Sequence, residues 1–424
     1  MRKRVVFICL ILLFIVTVVF PGKAFPKKVK PVKIGLLLPL SGVLGVQGVH
    51  ARQGIEFAIE EINRVGGIKS LDGAEIEYII TDEKSMAAPS VTEYERLATA
   101  KKVSVVIGPG NSSGIKAVFP YADRYRVPFI SFAGAPFLRE TFLFGRNMQV
   151  GPLDVGDAEI GGGASLMQEF NLSIEKIAVI SYDVAGGPIH KMIIPDVMKK
   201  FKISPDKIVI NEMFSSRAED LRPLALKIKA TGAQLVFAGL GGEHMILWAK
   251  ACHAVDYKPL IVSNWTGTLL DETWHGLGEE MAKATIGQPG WIGLSYWHPD
   301  IEYKPLQDYL KRFMGWAKQK GLPERVEQYH VIGGQLVYFV CRALEMAGSR
   351  KPAEINKAMW KVSLKKGDPQ FIWMPAMPEL KFDRKTNYPI HRRLLNGFWD
   401  ENGKVQIAYP KEMRTASPRK PVAR

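Results

Sequence analysis

Two hydrophobic periods alternate along this chain. Short, largely apolar runs, at Val32 to Leu38, Val103 to Ile107 and Val127 to Ile130, have the pattern of strands buried on both faces, and Glu75 to Thr81 adds another strand. Between them Ile55, Ala58, Ile59, Ile62 and Val65 recur at three- and four-residue spacing, with Glu56, Glu60, Glu61 and Arg64 opposite, which predicts a helix closed by Gly66-Gly67. A second helix is predicted from Ser90 to Lys101. Strand, helix, strand, helix, strand is the order of a doubly wound parallel sheet. From Gly151 the same order begins again. Strands at Lys176 to Ser181, Lys207 to Ile210, Gln234 to Ala238 and Leu260 to Ser263 are separated by helix-length segments such as Asp220 to Thr231 and Glu243 to Val255. Two such units predict two αβ lobes with a ligand site in the cleft between them. Tyr303 to Lys320 and Gln328 to Ala347 are amphipathic helices, and Asn396 to Ile407 is a hairpin around an Asp/Asn/Gly turn.

Composition changes this picture mainly at the ends. The 424 residues, 47% hydrophobic and 23% charged, suit a globular chain with more than one core. Arg2, Lys3 and Arg4 precede an uncharged run from Val5 to Phe20, followed by Gly22-Lys23-Ala24; this is the order of a secretory signal cleaved after Ala24, and it predicts a periplasmic protein. Without that segment the formal charge falls from +15 to +11, that is 53 basic against 42 acidic residues. Lys411, Arg414, Arg419, Lys420 and Arg424, among prolines, read as a solvated basic tail. Nucleic acid is not the expected partner, because an exported chain rarely meets it and there is no recognition helix, zinc spacing or aromatic RNA platform. Cys252 and Cys341 lie in apolar helical surroundings; buried free thiols are expected, although an oxidising compartment permits a bridge. Two cysteines so far apart suggest no metal site, and no cofactor is expected.

The chemistry concentrates between Val103 and Ala135. Loops leaving the carboxyl ends of neighbouring parallel strands meet where ligands bind. The first loop carries Ser112 and Ser113 at a helix start, a setting that favours an anionic group such as a carboxylate. The second, Ser131 to Ala135, has little bulk and allows close approach to its backbone. Gly110-Asn111-Ser112-Ser113-Gly114 also fits the nucleophile elbow of αβ hydrolases, so a serine hydrolase using Ser112 stands as an alternative.

IGLLLPLSG (Ile34 to Gly42), Gly54, the helix ending with Ile62, Asn63, Gly66, Gly67 and Ile68, IGPGNSS (Ile107 to Ser113) and VPFIS (Val127 to Ser131) resemble, in order and spacing, the solute-binding proteins of ABC importers for branched-chain amino acids. The resemblance to this leucine/isoleucine/valine-binding family implies an α/β fold of the type I periplasmic binding protein: two doubly wound Rossmann-like lobes joined by three hinge crossovers. The crossings would fall near Gln149 to Leu153, Gly287 to Gly293 and Phe382 to Pro389. Residues 31–150 plus 290–382 would form one lobe, 151–289 plus 383–410 the other, and 411–424 a flexible tail. By the same resemblance Ser112 would hold a ligand carboxylate with Asn111 and Ser113 beside it, and Ala133 would offer its carbonyl to an ammonium group. Gln47, Gly134, Tyr182 and Tyr329 would complete the site.

Three positions depart from the family pattern. Ala135 replaces a hydroxyl residue. After Tyr182-Asp183 the chain has Ala185, Gly186, Gly187 and Pro188 where a tyrosine is common. Ser263, Asn264, Trp265 and Thr266 occupy the loop where an acidic residue would neutralise the ammonium. A buried ammonium without a carboxylate is costly, so a small organic or aromatic acid or an amide suits the site as well as a hydrophobic amino acid. Trp265, Trp291, Tyr296, Trp297 and Tyr329 would suit a flat or apolar body. The implied partner is a membrane permease, with the protein a monomer; a ligand-sensing module for a membrane receptor is the remaining alternative.

Overall fold

Two parallel sheets wound in the same order organise the chain. The computed structural model describes residues 29–133, 142–148, 152–183, 187–264, 266–373, 377–391 and 394–421. The first sheet takes β1 (Val32–Leu38), β2 (Ile76–Asp82), β3 (Val105–Ile107), β4 (Phe129–Ser131) and β5 (Gly145–Asn147), with α1 (Gly45–Arg64), α2 (Ala87–Thr99) and α3 (Ser112–Tyr125) between the earlier strands. Its order is β2-β1-β3-β4-β5, every pair parallel. After α4 (Pro152–Phe170) the second sheet takes β6 (Ile177–Tyr182), β7 (Ile208–Phe214), β8 (Leu235–Gly239), β9 (Leu260–Ser263) and β10 (Trp291–Ser295). Their connections carry α5 (Gly187–Lys200), α6 (Arg222–Thr231), α7 (Gly242–Ala254), α8 (Asp271–Leu277) and α9 (Glu279–Ala284).

The parallel part of the second sheet runs β7-β6-β8-β9-β10, which repeats the first winding strand for strand. Crossovers therefore change direction between β1 and β3 in one sheet and between β6 and β8 in the other, the two places where an open sheet leaves a crevice. The chain then returns with α10 (Lys304–Gln319), α11 (Gln328–Ala347), α12 (Pro352–Met359) and a small ribbon of β11 (Leu364–Lys365) and β12 (Glu379–Leu380). The hairpin β13 (Leu395–Trp399) and β14 (Val405–Tyr409) adds antiparallel strands to the second sheet beside β10. Each sheet with its helices makes one lobe. One large apolar cluster joins β1, α1, α10 and α11, and Cys341 lies in it; Cys252 lies in the core behind β6 and β8. Both thiols are buried and free, and burial pushes their pKa up.

Three expectations need correction. The return to the first lobe comes later than Gly287 to Gly293, because Trp291, Ile292 and Gly293 still pair with Ile261, Val262 and Ser263, and β13 covers the other edge. The chain leaves this sheet between Ser295 and Lys304, so the boundary at 290 falls one strand early. The segment after 410 is not a solvated tail as far as residue 421. The Arg414 guanidinium holds the Glu169 carboxylate on α4 at 2.6 and 3.0 Å, Thr415 donates its amide to Ile407, and Pro418 and Pro421 are buried. The strand expected at Lys207 to Ile210 continues to Phe214, where a half-exposed edge strand mixes Asn211 and Glu212 with apolar residues and so hides its length. The proposed signal segment and the last three residues lie outside the described residues. Among the described residues, no helix is long and apolar enough to cross a membrane.

Candidate functional site

Parallel register brings three loops to one end of the first sheet. Leu36 pairs with Ile107 and Ile107 with Ile130, so Pro39, Gly108 and Ser131 leave the sheet at about the same level. Space there is tight enough to dictate residue type. Gly108 has φ +113°, and a Cβ on it would lie 1.8 Å from the Leu37 carbonyl; one on Gly110 would lie 2.6 Å from both Phe132 and Pro39.

The loop ends in α3, whose N-terminus opens into the crevice. Asn111 caps the helix: its Oδ1 accepts the Gly114 amide at 2.6 Å and the Ser113 hydroxyl at 2.7 Å, and its Nδ2 donates to Ser90 Oγ at 3.1 Å. Two residues expected to touch a ligand thus spend these polar atoms on building the helix start. Ser112, the first helical residue, is 7% exposed at the positive end of the dipole. Ala133 is buried where the β4 loop begins. Gly134, Ala135 and Trp265, also expected in the site, lie outside the described residues.

The second lobe contributes residues from the corresponding ends of its strands. Tyr182 closes β6 and is buried, its ring stacked on His244 with centroids 5.1 Å apart. Burial, together with the nearby Tyr329, pushes the Tyr182 hydroxyl well above the usual phenol range. Tyr329 stands in the first turn of α11 and packs against the apolar cluster of the first lobe. Asn264 follows β9, is buried, and its Oδ1 has no hydrogen-bond partner among the described residues. Gln47, in the first turn of α1, is buried too. The structure therefore places Ser112 and Ala133 at the end of the first sheet, and Tyr182 and Asn264 at the end of the second.

A polar cluster ties α8 of the second lobe to α1 and to the start of α11. Glu272 meets His50 Nε2 at 3.3 Å and the Arg325 guanidinium. Glu327 accepts the Asp271 amide at 3.2 Å and caps α11, while His330 Nδ1 accepts the Glu327 amide at 2.8 Å and its Nε2 meets Gln53 Oε1 at 2.8 Å. Burial pushes Glu272 up, but the hydrogen bond and charge of His50 together with Arg325 outweigh it and hold the carboxyl below its ordinary range. Burial, then Asp271 and Glu272, hold Glu327 well above it.

As a site residue His244 escaped the sequence reading, as did Glu272 and the buried Glu83 beneath the β3 loop. The Gly241-Gly242 turn after β8 could have drawn attention to His244. Nothing local marks Glu83 or Glu272, which acquire their settings from distant segments. A hydrolase with Ser112 as nucleophile would also need a histidine base, and four buried histidines are engaged elsewhere: His190 Nε2 with Glu159, His244 Nε2 with the Ser216 carbonyl, His298 Nε2 with that of Val405 and His330 with Gln53 and Glu327.

Comparison with known proteins gives a consistent result. A family model described as periplasmic binding protein matches residues 31–392. A Leu/Ile/Val-binding protein homolog from Brucella suis is 21% identical over 429 aligned positions, spanning 95% of this chain and 96% of its own. Among solved structures, the branched-chain amino acid transporter substrate-binding protein LivJ from Streptococcus pneumoniae, in complex with isoleucine, superimposes with TM-score 0.71 at 21% identity over 90% of this chain and 100% of its own. A solute-binding protein of an ABC transporter from R. palustris, in complex with benzoate, also gives TM-score 0.71, at 17% identity, over 93% and 98% of the two chains.

Proposed function

We propose, for a chain that belongs to the periplasmic binding protein family of the branched-chain amino acid type, that it captures a small carboxylate-bearing solute between its lobes and delivers it to the membrane permease of an ABC importer. The observation that carries this reading is the start of α3 at the β1/β3 switch point, with Asn111 as cap and Ser112 at its first position. A carboxylate there meets amides, a hydroxyl and the helix dipole. Tyr182, Asn264 and Trp265 close over the solute from the second lobe, and Tyr329 flanks it. Closure is driven by the solute's higher affinity for the closed state.

Asn264 bears on the solute class. Its buried amide oxygen has no partner among the described residues, so a donor on the solute would complete it, yet it brings no negative charge to balance an ammonium. Hydrophobic amino acids, small organic or aromatic acids and their amides all satisfy the carboxylate or donor requirement, and the isoleucine and benzoate in the two solved relatives bracket that range. A thermal-shift screen of the mature protein across these three classes tests the reading. A solute at a hundred times its dissociation constant adds about 2.7 kcal/mol of stability. If none of the classes raises the melting temperature, the reading fails.

Ser112→Ala is expected to weaken binding of the winning carboxylate by about 1–3 kcal/mol, the cost of a charge-assisted hydrogen bond. Isothermal titration of wild type and variant checks it, and equal affinities would remove Ser112 from the site. Glu272→Gln should weaken the same binding by only about 0.5–1 kcal/mol, because the pair it breaks is partly exposed and acts on closure rather than on the solute. A salt titration should erase that difference.

A further inference from the structure

Beneath the β3 loop, and out of contact with solvent, lies a carboxyl group that the mechanism above does not use. Glu83 follows β2, is 0% exposed, and donates its backbone amide to the Leu38 carbonyl at 2.9 Å. Its Oε1 accepts the Gly110 amide at 2.7 Å and its Oε2 lies 2.8 Å from Ser90 Oγ. Ser90 Oγ in turn lies 2.7 Å from the Met86 carbonyl and 3.1 Å from Asn111 Nδ2. Glu83 therefore grips both the loop, at Gly110, and the cap of α3, through Ser90 and Asn111.

We propose that Glu83 is the positioning residue of the solute loop, a buried strut that fixes Gly110, Asn111 and the first turn of α3 in binding geometry through Gly110 and Ser90. This rests on the reading that the loop holds the solute.

Hydrogen counting favours the neutral acid. With a proton on Oε2, Glu83 donates to Ser90 Oγ, which donates to the Met86 carbonyl and also accepts from Asn111, while Oε1 accepts from Gly110; every polar atom is then satisfied. When Glu83 is ionised the Ser90 hydroxyl donates to Oε2 instead, and the Met86 carbonyl keeps only the Ser90 amide at 3.2 Å, so the cluster has one hydrogen bond fewer. Burial pushes the carboxyl up to about 8, against the opposing hydrogen bonds of Asn111, Ser90 and Gly110. Asp82 is the charged group facing it and raises it further, its own carboxylate held by the Leu40 and Lys84 amides and the Ser41 hydroxyl. The partners supplied by α2 and by the β3 loop are uncharged. Because the folded pKa is raised above the unfolded value, the strut binds a proton that the opened loop releases. Its contribution is full below the unfolded value near 4.5, declines as pH rises from there to about 8, and is level above that.

Amide hydrogen exchange of residues 108–115 in the solute-free protein tests this without any ligand. In wild type, protection from opening, corrected for the intrinsic rate, should fall by up to about tenfold per pH unit as pH approaches 8, then level off. Glu83→Gln, which keeps an acceptor for Gly110 and cannot ionise, should give a flat profile; Glu83→Ala should lose protection at every pH. Titration with benzoate and isoleucine adds the functional readout. Any affinity for either probe should fall above pH about 8 in wild type and in Ser112→Ala, but not in Glu83→Gln. A pH-dependent opening retained in Glu83→Gln overturns the proposal. Unchanged affinity in Ser112→Ala, with the exchange profile as expected, overturns the reading of the loop and leaves the strut standing.

Discussion

Glu159→Ala should cost this protein about 3–5 kcal/mol of stability, the penalty of breaking a buried ion pair and leaving one partner behind. Glu159 on α4 and His190 on α5 are both buried, with the carboxylate oxygens 2.9 and 3.1 Å from His190 Nε2. Burial holds the Glu159 carboxyl above its ordinary range, against the opposing charge and hydrogen bond of His190 and a bond from the Ala238 backbone. The pair bolts α4, which precedes β6 in the chain, to α5, which follows it. Urea unfolding of the single variant checks the size of the loss. The double variant Glu159→Leu/His190→Phe, which removes both polar groups at similar volume, should recover most of it. A loss below about 1 kcal/mol in Glu159→Ala would mean that water reaches the pair.

Gly54→Ala comes next, and here two effects of opposite sign compete. Alanine in place of glycine inside a helix gains up to about 1 kcal/mol from propensity. A Cβ on Gly54, however, would stand 1.9 Å from the His330 carbonyl oxygen on α11, and one on Gly333 would stand 2.3 Å from the Ala51 carbonyl on α1. The obstacle is backbone, so α11 as a whole must move, and overpacking of this kind costs about 1–3 kcal/mol or more. The clash should win, with a net loss near 2 kcal/mol, measured by chemical denaturation. Gly315, on the exposed side of α10 with nothing within 4 Å of its Cβ position, serves as the control: Gly315→Ala should stabilise. Moving α11 also moves Tyr329, so solute affinity should drop in Gly54→Ala and stay unchanged in Gly315→Ala.

Much of the architecture was legible because burial leaves a local signature. Strands β1, β3, β4, β6, β8 and β9 are short apolar runs bounded by small residues, and α1, α10 and α11 carry apolar stripes of helical period. The two lobes follow from the grammar starting twice. Strand β10 hides behind Gly290 and Gly293 in a segment that also suits a crossover, and β5, Gly145-Arg146-Asn147, has no apolar run at all. Both owe their place to the neighbour that pairs with them. The docking of residues 411–421 escaped notice for the same reason, since Arg414 needs Glu169 to become a packed residue rather than a solvated one.

The amino-acid sequence by itself determined the fold class, the two windings, the loop that opens α3 and the presence of Ser112 at its start, because each depends on residues close together along the chain. Only the tertiary structure decided that Asn111 is a cap bound to Ser90, that Glu83 supports the loop from beneath, that Glu159 faces His190, and that α8 reaches across to His50 and Arg325. Those assignments join residues that are 21 or more positions apart, 53 for Arg325 and Glu272 and 222 for His50 and Glu272. A side chain's hydrogen-bond partners and its proton affinity are set by what surrounds it in space, and periodicity along the chain carries no record of that.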